Sequence, residues 1–187
     1  MTDSSNTLDI PGYKAGTWVL DPSHSEVGFS VRHMMISKVR GHFAVKEATL
    51  VAPENPLDVT LEAKVDASTL DTKDEGRDGH LRGEDFFDVE KYPFITFVST
   101  GVRFEKGDLL VEGDLTIKDV TKKVTFDVDF GGFGSDPWGN YKAGATAKTV
   151  INREDFGLTW NAALETGGVL VGKDVTIELD LQGSIQA

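Results

Sequence analysis

Residues 57–66 read LDVTLEAKVD. Leu57, Val59, Leu61, Ala63 and Val65 alternate with Asp58, Thr60, Glu62, Lys64 and Asp66. Successive side chains of a strand point to opposite faces, so this segment is a strand with one apolar and one solvated face.

The same period runs outward in both directions. Toward the N-terminus, Val39, Gly41, Phe43 and Val45 alternate with Lys38, Arg40, His42 and Lys46. Ala48 and Leu50 then fall on the other parity, which predicts a bulge or bend inside a long strand. Val27, Phe29 and Val31 make another half-buried strand, and Thr17–Leu20 a short one that stops at Asp21-Pro22. Residues 1–15 read as a flexible tail, and Pro53 and Pro56 mark a loop. Toward the C-terminus, strands are predicted from about Phe94 to Phe104, over Leu109–Ile117 and over Val124–Phe130. The Tyr141–Ile151 strand and a last one carrying Val175, Ile177, Leu179 and Leu181 follow. Lys106-Gly107-Asp108 is a hairpin turn. Gly131–Asn140 reads as a loop and Asn152–Lys173 as an irregular segment.

One long interruption stands out, TLDTKDEGRDGHLRGEDFFDVEKYPFITF at residues 69–97. Asp71 or Thr72 can cap a short helix, with Asp74 and Glu75 where the helix dipole favours anions. Gly76, Gly79 and Gly83 limit that helix to about two or three turns. Phe86-Phe87 adds a bulky apolar pair, and Tyr92-Pro93 returns the chain to extended geometry. This insert is expected to cover one end of the apolar surface made by the strands around it.

About eight or nine one-sided strands joined largely by tight turns make an antiparallel meander. With no helices to cover the apolar face, the sheet must pack on itself as a barrel or a sandwich. Closure is preferred because it leaves no unpaired edge. The expected fold is therefore all-β: an antiparallel up-and-down, lipocalin-like eight-stranded β-barrel with a short helical insert, in a single domain over residues 16–187.

An eight-stranded barrel is either filled by side chains or wide enough for one small ligand. Ala143, Ala145 and Ala147 face inward, as do Gly41 and Gly113, and small inward residues leave volume. The opposing reading is that Phe29, Phe43, Phe97, Phe126 and Phe130 fill it. A cavity with such walls takes an apolar, elongated guest.

The net charge of −12 repels phosphate backbones and anionic membrane surfaces, and no apolar run is long enough to span a bilayer. Neither a nucleic-acid partner nor stable membrane insertion is expected. The absence of cysteine removes thiol nucleophiles and thiolate ligands. The polar, acidic N-terminus lacks a secretory pattern, and the expected location is cytoplasmic, unless a signal has been removed. His24, His33 and His42 are spaced for no compact metal motif. Asp21, Ser23 and His24 have the residue types of a triad but lie so close in sequence that they read as a turn. The Gly131–Gly139 run lacks a helix to complete a phosphate cradle. Arg77, Asp78 and Arg82 form either a structural ion-pair cluster or a grip for a polar headgroup.

Several pieces in order resemble the YceI-like family of polyisoprenoid-binding, lipocalin-like proteins. They are Trp18…Leu20-Asp21-Pro22-Ser23-His24-Ser25, Arg77-Asp78…His80-Leu81-Arg82…Asp85-Phe86-Phe87-Asp88 and Tyr92-Pro93…Ile95…Phe97. Gly113-Asp114-Leu115-Thr116-Ile117, Asn152-Arg153…Asp155-Phe156-Gly157-Leu158, Trp160-Asn161 and Gly167-Gly168-Val169 complete the pattern. The resemblance implies an antiparallel barrel with an elongated apolar pore that can hold an isoprenoid chain. It also implies a homodimer, no metal and no catalytic residues. Many relatives carry a secretion signal and work in the periplasm, from which this N-terminus departs.

The expected function is binding of an apolar lipid, a polyisoprenoid or isoprenoid quinone, for carriage, storage or sensing, with no cofactor otherwise and no enzymatic activity. Phe29, Val31, Phe43, Leu61, Phe97, Leu115 and Ala145 are the expected pore lining. Met34, Met35, Phe86, Phe87, Trp160 and Leu164 are the expected mouth. The alternatives are a filled-core, stress-related interaction protein, or a small hydrolase or isomerase using His24, His33 or His80 with a carboxylate.

Overall fold

The computed structural model describes residues 9–165 and 167–186. Nine antiparallel strands form one sheet: β1 (Gly16–Leu20), β2 (Glu26–His33), β3 (Ser37–Ala52), β4 (Thr60–Asp71), β5 (Phe94–Glu105), β6 (Asp108–Ile117), β7 (Val120–Ser135), β8 (Tyr141–Asn152) and β9 (Val171–Ile185). One helix, α1 (Glu75–Arg82), lies between β4 and β5. The sheet closes because β3 pairs with both β2 and β4, while β2 pairs with β9. Both β1 and β2 sit between β3 and β9. Strand β1 takes the stretch near Leu50 and Ser184, and β2 the stretch from Ser37 to Phe43 and from Val171 to Asp180. The two are halves of one stave, interrupted by the turn at Asp21–Ser25, so the barrel has the expected eight staves and no free edge.

The parity change in β3 is a bulge. Val45 faces Val65 and Glu47 faces Lys64, so one extra residue moves Ala48 and Ala52 inward. Strand β4 starts at Thr60 rather than Leu57, because Asn55 caps a single 3₁₀ turn over Pro56–Asp58. The Gly131 region is not wholly loop. Strand β7 continues to Ser135 through a register shift at Phe130–Gly132, with Gly132 at φ 115°. That shift brings Phe133 to the inner face.

Gly41 and Gly113 do not leave empty volume. A Cβ on Gly41 would lie 2.7 Å from Thr72 Cγ2 and 2.9 Å from Phe29 Cε1. One on Gly113 would lie 2.6 Å from the Val98 carbonyl and 2.7 Å from Phe97 Cε2. Each glycine is thus covered by a phenylalanine ring from its neighbouring strand. Gly113→Ala is expected to cost about 1–3 kcal/mol by overpacking, because the backbone oxygen cannot turn away. Differential scanning calorimetry should show a fall of several degrees; a variant melting with wild type would mean that the Phe97 ring and β5 yield freely.

The N-terminal segment corrects a second expectation. Residues 1–8 of the expected tail lie outside the described residues, but residues 9–15 pack across one barrel end. The Tyr13 hydroxyl donates to the Pro53 carbonyl at 2.5 Å, and Tyr141 donates to the Gly12 carbonyl at 2.6 Å. Trp18 Nε1 donates to the Lys14 carbonyl at 3.2 Å. Phe133 stacks on Tyr141 with ring centroids 5.6 Å apart, and Trp18 leans on both rings. Gly12, at φ 86° and with Tyr141 Oη 2.8 Å from where its Cβ would be, is the residue that admits this close approach.

The insert covers the opposite end, as its sequence predicts, but its cap differs. Asp74, not Asp71 or Thr72, accepts from the Arg77 N–H at 3.0 Å and caps α1. That bond holds the Asp74 carboxyl below its ordinary range. Asp71 instead accepts from Lys73 N, and Thr72 bonds to the buried Asp78. Leu81, Phe86 and Phe87 then pack on the barrel core. Among the described residues no helix is long and apolar enough to cross a membrane.

Candidate functional site: an apolar cavity along the barrel

The inward faces do not meet. They enclose a cavity of about 510 Å³ that runs from Ile10 and Tyr13 at the aromatic end to His33, Arg77 and Leu170 at the α1 end. This volume lies in the range of small-molecule sites. Of the two readings open in the sequence, a filled core and a hollow one, the barrel is hollow. The phenylalanines pack in pairs along the wall, with Phe29 5.5 Å from Phe43 and Phe97 5.4 Å from Phe126. The short side chains of Ala143, Ala145 and Ala147 of β8 line the cavity as well.

All seven residues expected to line the pore are on the cavity wall: Phe29, Val31, Phe43, Leu61, Phe97, Leu115 and Ala145. Phe86, Phe87 and Trp160 line it at the α1 end. Met34, Met35 and Leu164 are not on the wall. Met34 and Met35 form the exposed tip of the β2–β3 hairpin, whose turn carries them past the barrel rim. Leu164 is in a loop folded back on itself, where Asn161 bonds to the backbone of Ala162 and Val171 and Ala163 bridges Val169.

The cavity is chemically uneven. Among the described residues its wall contains His33, Arg77, His80 and Arg153 and no Asp or Glu. All four belong to the α1 end. Arg77 Nε donates to Thr72 Oγ1 and its Nη2 to the Thr72 carbonyl, both at 2.8 Å. Arg82 donates to the Ser68 and Leu70 carbonyls. Neither arginine pairs with Asp78, so the expected ion-pair cluster is instead a set of bonds stapling the insert to the end of β4. His80 Nε2 lies 2.9 Å from Asp85 Oδ2, and the imidazole meets Trp160 edge-on at 4.7 Å.

Arg153 was quoted in the sequence only as part of a motif, yet it organises this end. It is 3% exposed, and among the described residues no ion pair involves it. Its Nε donates to the Gly172 carbonyl at 2.7 Å, Nη1 to Leu158 and Trp160, and Nη2 to Val171. Burial pulls its guanidinium below the ordinary arginine range, and nearby Glu154 opposes that. Tyr13 and Ile10 were missed as well; the apolar and aromatic pair beside the Pro11-Gly12 turn was their signal.

The Asp21-Ser23-His24 group does converge, but as a turn. His24 Nδ1 meets both Asp21 Oδ2 at 2.7 Å and Ser23 Oγ at 3.1 Å, and the Ser23 hydroxyl donates to Asp21. A triad base uses opposite ring nitrogens for its two partners, so no relay exists here. The Ser23 hydroxyl first, and His24 next, bring the Asp21 carboxyl down to about 2. Among the described residues no group of three or more His, Asp or Glu converges as a metal site.

A closed antiparallel barrel with an apolar interior along its axis is a lipocalin-like fold. The YceI-like domain profile matches residues 18–183, and the chain belongs to that family. The UPF0312 protein SAS2572 of Staphylococcus aureus (strain MSSA476) is 39% identical over 170 residues, 90% of this chain and 97% of the relative. Burkholderia cenocepacia BcnA matches with a TM-score of 0.73 at 24% identity, covering 87% of this chain and 98% of BcnA. A polyisoprenoid-binding domain from Saccharophagus degradans matches with a TM-score of 0.67 at 14% identity, covering 92% and 100%. At these identities the two structures speak for the fold alone.

Proposed function

We propose that the barrel binds one long apolar lipid, a polyisoprenoid or isoprenoid quinone, along its axis, and that it carries, stores or senses the lipid rather than transforming it. The observation that carries this reading is the 510 Å³ cavity, apolar except at its α1 end and, among the described residues, without a carboxylate on its wall. The polar end of the guest lies toward α1, where His33, Arg77 and His80 supply donors and the wall holds no acid to repel it. Membership of the YceI-like family and the fold shared with a polyisoprenoid-binding domain support it. Native mass spectrometry of the purified protein, followed by organic extraction, tests it. The expected result is added mass that leaves as a prenyl lipid or quinone, on a protein that the same spectrum reads as a dimer. Protein that stays bare after preparation with such lipids overturns the reading.

A further inference from the structure

We propose that the tip of the β2–β3 hairpin docks the α1 end of the barrel onto an anionic lipid bilayer. This deepens the lipid-binding reading by giving the guest a source, and it rests on that reading only for its purpose. The turn is built in a costly way. Ile36 N donates to the His33 carbonyl at 3.3 Å, and the two residues between them, Met34 and Met35, have φ of 54° and 65°. A positive pair is the geometry of a type I′ turn, which Asn-Gly satisfies without strain and methionine does not. The strained pair nevertheless points outward: Met34 is 45%, Met35 57% and Ile36 81% exposed.

The tip is continuous with the cavity. Met34 N donates to the Leu170 carbonyl at 2.8 Å, and both Leu170 and His33 are on the cavity wall. The Met35 thioether rests over Gly168, beside exposed Val169. The two arms of the hairpin next to the tip carry the sign opposite to the net charge of the chain. In a chain of net charge −12, no Asp or Glu occurs between Glu26 and Glu47, while Arg32, Lys38, Arg40 and Lys46 do. Arg32 and Lys38 face each other across the hairpin beside the tip, and among the described residues no ion pair involves either, whereas Arg40 lies further along in a cleft with Glu26, Asp71 and Glu178. Adaptable apolar side chains at a tip, flanked by free cations, match the acyl boundary and headgroups of an anionic leaflet. The acidic remainder is repelled, so the barrel approaches tip first. A second copy of the chain is a poorer occupant, since three residues fall far short of the roughly 800 Å² per partner of a stable interface.

Flotation with phosphatidylcholine vesicles, alone or mixed with phosphatidylglycerol, tests the proposal. Wild type is expected to float with the mixed vesicles at low salt and to be released at high salt. The variant Met34→Asn, Met35→Gly, Ile36→Thr keeps the turn and removes the apolar tip; its partition should fall at least about tenfold while its melting temperature holds or rises. Arg32→Gln and Lys38→Gln should each lower partition by about fivefold on the mixed vesicles only. Wild type that ignores mixed vesicles, or a tip variant that floats like wild type, overturns the docking. So does a tip variant whose only change is from dimer to monomer. Mass spectrometry of the same preparation separates the two readings. Tip-dependent flotation of a lipid-free protein supports docking and counts against the pore, and a lipid-loaded protein that never floats does the reverse.

Discussion

Ala145→Trp is expected to empty the barrel without unfolding it. Ala145 is opposite Phe130 of β7 on one side and Leu181 of β9 on the other, and all three are on the cavity wall. Its neighbours on the same face, Ala143 and Ala147, are equally short, so an indole entering here meets open space before it meets a side chain. The ladder between β7, β8 and β9 is made by backbone groups and is untouched. Overpacking in a close-packed core costs about 1–3 kcal/mol, but a hollow site absorbs most of that volume. The melting temperature should therefore move by only a few degrees. Retained lipid, read by native mass spectrometry and extraction, should fall at least about tenfold, because a chain threading the barrel cannot pass a ring that fills its cross-section. Thr146→Trp, one residue along and on the outer face, is the matched control and should retain lipid as wild type does. Equal lipid in Ala145→Trp and wild type would remove Ala145 from the binding path.

The barrel was legible because period two is a local property. Each strand declares which of its faces is wet, and turns such as Lys106-Gly107 declare antiparallel neighbours. The bulge in β3 was legible for the same reason, as a break of parity. What the sequence could not show is what pairs across distance. Gly41 and Gly113 look like empty positions until Phe29 and Phe97 are seen to fold over them. Met34 and Met35 look like adaptable residues of the mouth, but one turn with positive φ carries them past the rim. Tyr13 belongs to a polar stretch with no periodicity, and its packing depends on Pro53, forty residues on in the chain. Most of the cavity wall was readable because parity decides it wherever a strand keeps its register. The insert's covering of the α1 end was readable too, but the bonds that close that end were not, and neither was the N-terminal closure, because these contacts join distant segments.

Arg153 carries the heavier of those closures, and replacing it is expected to loosen the whole α1 end. Its guanidinium donates to four carbonyls, those of Leu158, Trp160, Val171 and Gly172. These belong to the segment that leaves β8 and returns as β9, so one side chain spans both ends of a loop. In Arg153→Met the volume is kept while every donor is lost. The abandoned carbonyls must find water or stay unpaired, and the sum should be about 3–5 kcal/mol after partial rehydration. For a chain of this size that is a fall in melting temperature of about 10 °C. Arg153→Lys keeps the charge but concentrates it on one ammonium, which cannot span four carbonyls set along a planar fork, so it should recover less than half of the loss. Because Leu158 and Trp160 are on the cavity wall, lipid retention should fall with stability in both variants, unlike the uncoupled loss in Ala145→Trp. Thermal melts read beside extracted lipid decide the matter. A methionine variant that melts with wild type would show that the loop is held by its own turns, with Arg153 only filling space among them.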